Sequence, residues 1–157
     1  PLARALRLDK MTLAALEATL RLYLGGNATA TIPTLRMLTE DAEAVRMRAE
    51  ELCKMVAQAL PKGAATLEVV PETSRAGGGA LPMYDIPTYV LQVAFNTGTA
   101  QECDEYLVQK CKTPIIARLS RERLLFDART VLSDEEFETI TNGLAEYFAA
   151  TEGERSE

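Results

Sequence analysis

The 157-residue chain contains no histidine, which excludes histidine-based triads, histidine zinc sites and imidazole acid–base chemistry. Its three cysteines, Cys53, Cys103 and Cys111, form no Cys-x-x-Cys pair, so we interpret them as buried thiols of a reducing compartment. No metal site is predicted. No apolar run approaches the roughly 20 residues that span a bilayer, and no signal peptide is recognisable. We expect a soluble, cytoplasmic protein without a membrane partner.

Positive charge is also scarce, since 17 Lys and Arg face 23 Asp and Glu and the net charge is -6. An acidic domain repels phosphate backbones unless its arginines are clustered. We therefore expect this chain alone to be a poor nucleic-acid binder.

Helical periodicity and capping signals predict four main helices. The first carries Leu13, Leu16 and Leu20 on one face and ends at Gly25 and Gly26. The others cover about residues 39–60, 99–112 and 133–150, and the last opens with a Ser-Asp-Glu-Glu capping box. A short helical turn starting at Pro33 is also compatible with the sequence.

Four β-rich runs of strand length alternate with these helices, at residues 65–71, 87–95, 114–119 and 123–129. The last two lie close together around a polar tip, which predicts a hairpin. The order α, α, β, β, α, β, β, α favours an α+β two-layer domain with a four-stranded, mainly antiparallel sheet and helices on one face. We divide the chain into a linking segment and helix (1–26), a small α+β domain (27–150) and a polar tail (151–157).

Few side chains stand out as chemical candidates. Arg4 and Arg7, three residues apart, are suited to gripping a tetrahedral anion, although a solvated pair at a chain end gives the same spacing. Lys10 is either a Schiff-base lysine or an ordinary surface lysine. The run 77–79 is Gly-Gly-Gly without a dinucleotide or P-loop spacing, so a strand connection competes with phosphate binding. On pattern alone, no function follows.

Longer motifs give more. The segments PLARALRLDKMTLAALEATLRLYL, IPTLRML, GGGALP and PIIARLSRERLLFDARTV closely resemble the C-terminal part of the bacterial selenocysteine synthases, the L-seryl-tRNA(Sec) selenium transferases. The similarity runs from Pro1 to about Phe148, nearly the whole chain.

The resemblance implies a pyridoxal-phosphate (PLP) enzyme of the aspartate-aminotransferase-like fold, in which seryl-tRNA(Sec) loses water and accepts selenium from selenophosphate. It places the cofactor lysine upstream, so the chain is expected to be the small C-terminal domain. It also implies partnership with an N-terminal large PLP domain and a ring-shaped homo-oligomer. The start at Pro1 without Met agrees with a truncated or proteolytic piece. Because the cofactor lysine is expected upstream, we expect this piece to bind no cofactor and to be inactive alone.

The resemblance also assigns site residues. Arg4 and Arg7 match the family's RALR arginines and are expected to bind selenophosphate, with Asp9 and Lys10 in support. Arg75 and the loop of Gly77, Gly78 and Gly79 match its glycine-rich motif, and are expected to shape the cleft wall or a subunit contact. No catalytic residue is expected within the chain.

Two other interpretations stay open at this point. A related PLP lyase acting on a phosphorylated amino sugar would share this domain and use the same arginines for a substrate phosphate. A free-standing α+β interaction or ligand-sensing module would use the glycine loop as its ligand site.

Overall fold

A computed structural model describes residues 7–77 and 84–154 of the chain. The chain divides into two compact units, Pro1–Glu40 and Asp41–Glu157. The boundary that we predicted after residue 26 falls inside the first unit, and the three-part division of the chain stays a prediction.

The first unit is helical over its described part. It contains three helices, α1 (Lys10–Leu24), α2 (Ala28–Thr31) and α3 (Pro33–Thr39). Pro33 occupies the first position of α3, where its missing N–H costs nothing. None of the residues described in this unit is buried, and the predicted apolar face of α1 is exposed, with Leu13, Leu16 and Leu20 retaining 49%, 50% and 53% of their accessible surface.

The second unit contains three helices and one sheet. Its elements are α4 (Ala42–Ala59), β1 (Ala65–Ser74), β2 (Ile86–Phe95), α5 (Ala100–Gln109), β3 (Arg118–Ser120), β4 (Arg123–Asp127) and α6 (Asp134–Glu154). The sheet is antiparallel throughout, in the order β1-β2-β4-β3. The predicted α+β class and four-stranded antiparallel sheet are confirmed.

One face of the sheet carries the core. Opposite one another in register, Leu91 pairs with Phe126 and Val93 pairs with Leu124, so these four side chains point to the same side. They join one apolar cluster with buried residues of all three helices, including Leu52, Cys103, Leu107, Leu144 and Phe148. Helices therefore cover this face, and the opposite face of the sheet points away from them.

The buried thiol that we expected is present at Cys103, whose pKa is raised by burial. Cys53 and Cys111 are half-buried, and all three cysteines are free. Burial excludes water from the Cys103 sulfur and disfavours its charged, reactive form.

The third strand differs from our prediction of residues 114–119. Ile115 donates its N–H to the Leu107 carbonyl at the end of α5 (3.0 Å) rather than to a strand, and Ile116 is 87% exposed. Strand pairing begins only at Arg118. The β-branched run was therefore a misleading signal, because Ile115 is used to pack the helix end.

Helix ends agree with the sequence in two cases and differ in others. Thr99 with Glu102, and Ser133 with Glu136, form reciprocal capping contacts. The second main helix, predicted from about residue 39, begins as α4 at Ala42, where the Asp41 carboxylate caps it by accepting from the Glu43 N–H (2.7 Å). The short α2 has no counterpart among the predicted helices, and α6 extends to residue 154, into the predicted polar tail.

Candidate functional site

The predicted site residues fall in both units. Arg4, Gly78 and Gly79 lie outside the described residues. Arg7 is exposed just before α1. Among residues 7–77 and 84–154 no ion pair or hydrogen bond to its side chain is found.

Asp9 has a defined local role as the cap of α1. Its carboxylate accepts the N–H groups of Met11 (2.8 Å) and Thr12 (3.0 Å) and the Thr12 hydroxyl (2.7 Å). These hydrogen bonds, those from Thr12 first, hold the pKa of Asp9 below its usual value. Since internal donors satisfy the carboxylate, Asp9 orients the start of α1, and Lys10, the first helical residue, is exposed beside it.

Arg75 and Gly77 lie in the second unit, at the end of β1. The Arg75 guanidinium pairs with the carboxylate of Asp85 (3.3 Å), and both side chains are largely exposed. The two residues flank the glycine-rich segment on its two sides, so their ion pair closes the base of that loop. An exposed pair of this kind contributes little stability, which leaves Arg75 free to exchange Asp85 for a ligand anion.

The sheet face opposite the helices carries a cavity that sequence reasoning missed. A cavity of about 650 Å³ is lined by Ser74 and Arg75 at the end of β1, by Asp127 at the end of β4, by Thr130 in the turn that follows, and by Arg118. Arg118 reaches across this face from β3 to β1, where it pairs with Glu72 (3.0 Å) and approaches the Thr73 carbonyl (3.4 Å).

A second cavity of about 600 Å³ continues along the same face. Glu72 and Leu125 line both spaces, and Gln92, Ser120, Arg121, Arg123 and Glu68 line only the second. We call the two together the outer groove. It runs from the base of the glycine-rich loop to the tip of the β3–β4 hairpin, and the Arg118–Glu72 pair crosses it.

A buried polar contact between neighbouring strands holds the floor of the outer groove. The Thr88 hydroxyl, 1% exposed, donates to Asp127 Oδ1 (2.6 Å), and the Arg129 N–H donates to the same oxygen (3.0 Å). This fixes the turn after β4. The three arginines between residues 118 and 123 were a possible sequence signal for the groove. The residues of β1 that line it with them, such as Glu72, are distant in sequence, so no local pattern connected the two strands.

The described residues do not by themselves form a PLP site. Such a site needs a lysine whose amine is held inside a cavity beside the ring. The lysines at 10, 54, 62, 110 and 112 are all exposed, and they are spread over both units. Within residues 7–77 and 84–154 no group of three or more Cys, Asp or Glu side chains is arranged to hold a metal ion.

These features define a small α+β domain with a polar groove on its open sheet face, preceded by a helical segment with an exposed arginine. A protein-family model described as L-seryl-tRNA selenium transferase matches residues 1–132. The chain belongs to this family, as the resemblance of its motifs implied.

Individual relatives agree. A protein of Geobacter sulfurreducens named L-seryl-tRNA(Sec) selenium transferase is 42% identical over 136 residues, which is 86% of this chain and 29% of the relative. Proteins of the same name from Solidesulfovibrio magneticus and Aquifex aeolicus are 43% and 38% identical over 150 and 146 residues, each covering 93% of this chain and 31% of the relative. The chain thus spans about three tenths of the length of these relatives. Across the described ranges, no helix is both long and apolar enough to cross a membrane.

Proposed function

We propose that this chain forms the C-terminal part of an L-seryl-tRNA(Sec) selenium transferase, which converts seryl-tRNA(Sec) to selenocysteinyl-tRNA(Sec) with selenophosphate. The observation that carries the proposal is the identity of 38–43%, over most of the chain, to relatives that bear this name. The two other interpretations, an amino-sugar-phosphate lyase and a free-standing module, find no support among these names.

Arg7, together with Arg4, is our candidate for the selenium donor's anionic group. The support is that Arg7 is exposed and has no ion-pair partner among the residues the structure describes. Selenophosphate is a compact polyanion, and guanidinium groups bind such oxygens through paired hydrogen bonds. The nearby carboxylate of Asp9 does not compete, because its oxygens accept from the first turn of α1.

The cofactor, in this proposal, is PLP held by a lysine outside these 157 residues. When bound, PLP would supply the electron sink for exchanging the seryl oxygen for selenium. This chain contributes binding groups: Arg7 and Arg4 for the donor, and Arg75 with the loop of Gly77, Gly78 and Gly79 at the wall of the cleft. We assign it no cofactor lysine, since its lysines are all exposed.

The exposed apolar face of α1 supports a partner from the rest of the enzyme. Met11 and Leu24 are 84% and 88% exposed, and Leu13, Leu16 and Leu20 between them are about half exposed. Apolar surface concentrated on one helix is typical of an interface rather than of a solvated face. We propose that the large PLP domain covers this helix, and that the enzyme assembles as a homo-oligomer in the cytoplasm.

The test uses the complete gene product with PLP, seryl-tRNA(Sec) and selenophosphate. We expect selenocysteinyl-tRNA to form, and Arg7→Ala to lower kcat/KM for selenophosphate by roughly 100-fold, the effect of losing a charged hydrogen bond. The affinity for tRNA should be unchanged.

The matched control is Arg21→Ala, which removes an exposed arginine that pairs with Glu17 on α1 (2.7 Å). It should leave both parameters near those of the unmodified protein. Absence of selenium transfer by the complete protein would contradict the proposed function, and full activity of Arg7→Ala would contradict the role of Arg7.

A further inference from the structure

Most arginines in the described part of the chain are held by acceptors of the chain itself. Arg21, Arg36, Arg46, Arg75 and Arg118 pair with carboxylates, and Arg48 and Arg129 donate to carbonyl oxygens. The exceptions within residues 7–77 and 84–154 are Arg7, Arg121 and Arg123. The last two lie together in the β3–β4 hairpin, and both line the outer groove.

The hairpin tip is also strained. Arg121 and Glu122 have φ of 49° and 62°, the left-handed region that two-residue hairpin turns require and that Asn-Gly satisfies at least cost. Long charged side chains at both positions work against the turn. Backbone conformation therefore does not explain why an arginine stands at 121.

We propose that Arg121 and Arg123, with Ser120 and Gln92 beside them, bind backbone phosphates of an RNA. This inference rests on the proposed function, whose substrate is an acylated tRNA. The groove is open and elongated, so it suits a run of phosphates better than a single enclosed anion. No aromatic side chain lines its described walls, so bases have no stacking platform, and contact with the sugar–phosphate backbone is the recognition it offers.

The acidic net charge of the chain does not exclude this contact, because the carboxylates that line the groove lie away from the tip. Glu122 stands at the tip itself, but it lines a separate cavity and not the outer groove. Glu72 is neutralised by Arg118 at 3.0 Å. Glu68 lies on β1, separated from β4 by β2, and repels phosphate on that side. The groove thus has a positive end at the hairpin and a negative edge at β1, which would seat an RNA backbone over the hairpin only.

The experiment measures tRNA binding by the complete gene product as a function of salt. Each arginine that contacts a phosphate contributes roughly 0.7–0.9 to the slope of log K against log salt. Arg121→Ala/Arg123→Ala should therefore lower the slope by about 1.5 and weaken binding by about tenfold near 0.1 M salt. The matched control is Lys110→Ala/Lys112→Ala, which removes two exposed charges at the end of α5 and should change the slope far less.

A second variant separates loss of contact from loss of folding. Arg121→Gly removes one charge but relieves the positive φ of the turn, so the protein should be at least as stable while the slope falls by about 0.8. An equal fall in the slope for the hairpin and lysine doubles, or no fall for either, would overturn the proposal.

The third measurement is the KM of the hairpin variants for selenophosphate. A rise in its KM without a change in tRNA affinity would assign the hairpin arginines to a small anion and overturn the RNA assignment. If the unmodified protein transfers selenium but the hairpin variants bind tRNA normally, only this inference fails. If the unmodified protein neither binds tRNA nor transfers selenium, the proposed function fails first and this inference with it.

Discussion

The two units of the chain treat apolar side chains in opposite ways. In the described part of the first unit, no residue is buried, and leucines at helical spacing along α1 keep about half of their surface. In the second unit, Leu107, Leu124 and Leu144 are all 0% exposed, packed between three helices and a sheet. The same residue type is therefore a core residue in one unit and surface in the other.

This difference distinguishes the apolar side chains that stabilise the folded chain from those that are exposed and can contact a partner. Burying a leucine side chain contributes about 1.5–3 kcal/mol, so the second unit holds the apolar burial that a folded domain needs. A 15-residue helix such as α1 is marginal in water without packing. We infer that the second unit folds by itself, and that α1 gains most of its stability when its apolar face is covered.

The largest test exchanges one leucine in each unit for alanine. Leu144→Ala should lower the free energy of unfolding by about 2–5 kcal/mol, because it opens a cavity in a packed core. Leu16→Ala, on a helix of the first unit and 50% exposed, should change it by less than about 1 kcal/mol. Urea unfolding followed by circular dichroism measures both. Equal losses would show that α1 is packed as tightly as the core.

Glycines with positive φ give a second, smaller contrast. Gly98 (φ 70°) lies against Tyr147, and a Cβ there would stand within about 2.1 Å of the Tyr147 hydroxyl, whereas at Gly26 (φ 76°) it would meet nothing within 4 Å. Gly98→Ala should cost about 2–4 kcal/mol, from the left-handed backbone and the clash together. Gly26→Ala should leave the unfolding midpoint of the second unit unchanged.

Gly63→Ala is the control for the backbone term, since Gly63 has φ 80° in the second unit and open space around it. It should cost about 1–2 kcal/mol. In a Tyr147→Phe background, which already lacks the hydrogen bonds between the Tyr147 hydroxyl and the Thr99 backbone (3.2 Å), Gly98→Ala should cost less than it does in the unmodified protein. An equal cost in both backgrounds would mean that the tyrosine hydroxyl is not what the alanine meets.

The third prediction concerns pH and the start of α1. Because hydrogen bonds lower the pKa of Asp9 in the folded helix below its usual 3.8, the cap stabilises the helix above about pH 4 and is lost as pH falls through the lowered pKa. The N–H signals of Met11 and Thr12 in NMR spectra should shift together over that acidic range.

Asp9→Asn is the control, because asparagine keeps the capping oxygen but has no charge to titrate. In this variant the two signals should show no transition with the pKa of Asp9. A transition that persists would assign the titration to another carboxyl group.

The sequence predicted the second unit well where local signals agree with packing. The capping threonine at 99 and the capping box at Ser133 located the starts of α5 and α6, and alternation located β2. The third strand was misplaced because Ile115 looks like a strand residue, yet its N–H is used at the end of a helix. Hydrophobic periodicity indicates which side chains are buried, but at Ile115 it could not show whether the backbone N–H pairs with a strand or with a helix end.

The candidate sites show the same limit. Arg7 and Arg75 were found through motifs, and their placement as site residues stays a prediction. The outer groove could not be found, because Arg118 and Glu72 come from the two edge strands of the sheet and meet only after it forms. The sequence likewise does not show which arginines pair with carboxylates, so Arg121 and Arg123 stand out only in the folded structure.

The smallest predicted effect compares ion pairs in the two units by double-mutant cycles. Arg21–Glu17 lies on α1 with side chains 74% and 64% exposed, and Arg118–Glu72 crosses the outer groove at 45% and 41%. We expect a coupling energy of about 0.3–0.5 kcal/mol for the helical pair. The groove pair should reach at most about 1 kcal/mol, since solvent still screens it.

Urea unfolding of Arg118→Ala, Glu72→Ala and the double variant measures the coupling energy of the groove pair, and raising the salt concentration should weaken both pairs. A groove coupling no larger than the helical one would mean that Arg118 is held by the Thr73 carbonyl and the sheet rather than by Glu72, which would leave Glu72 as an unneutralised carboxylate inside the groove.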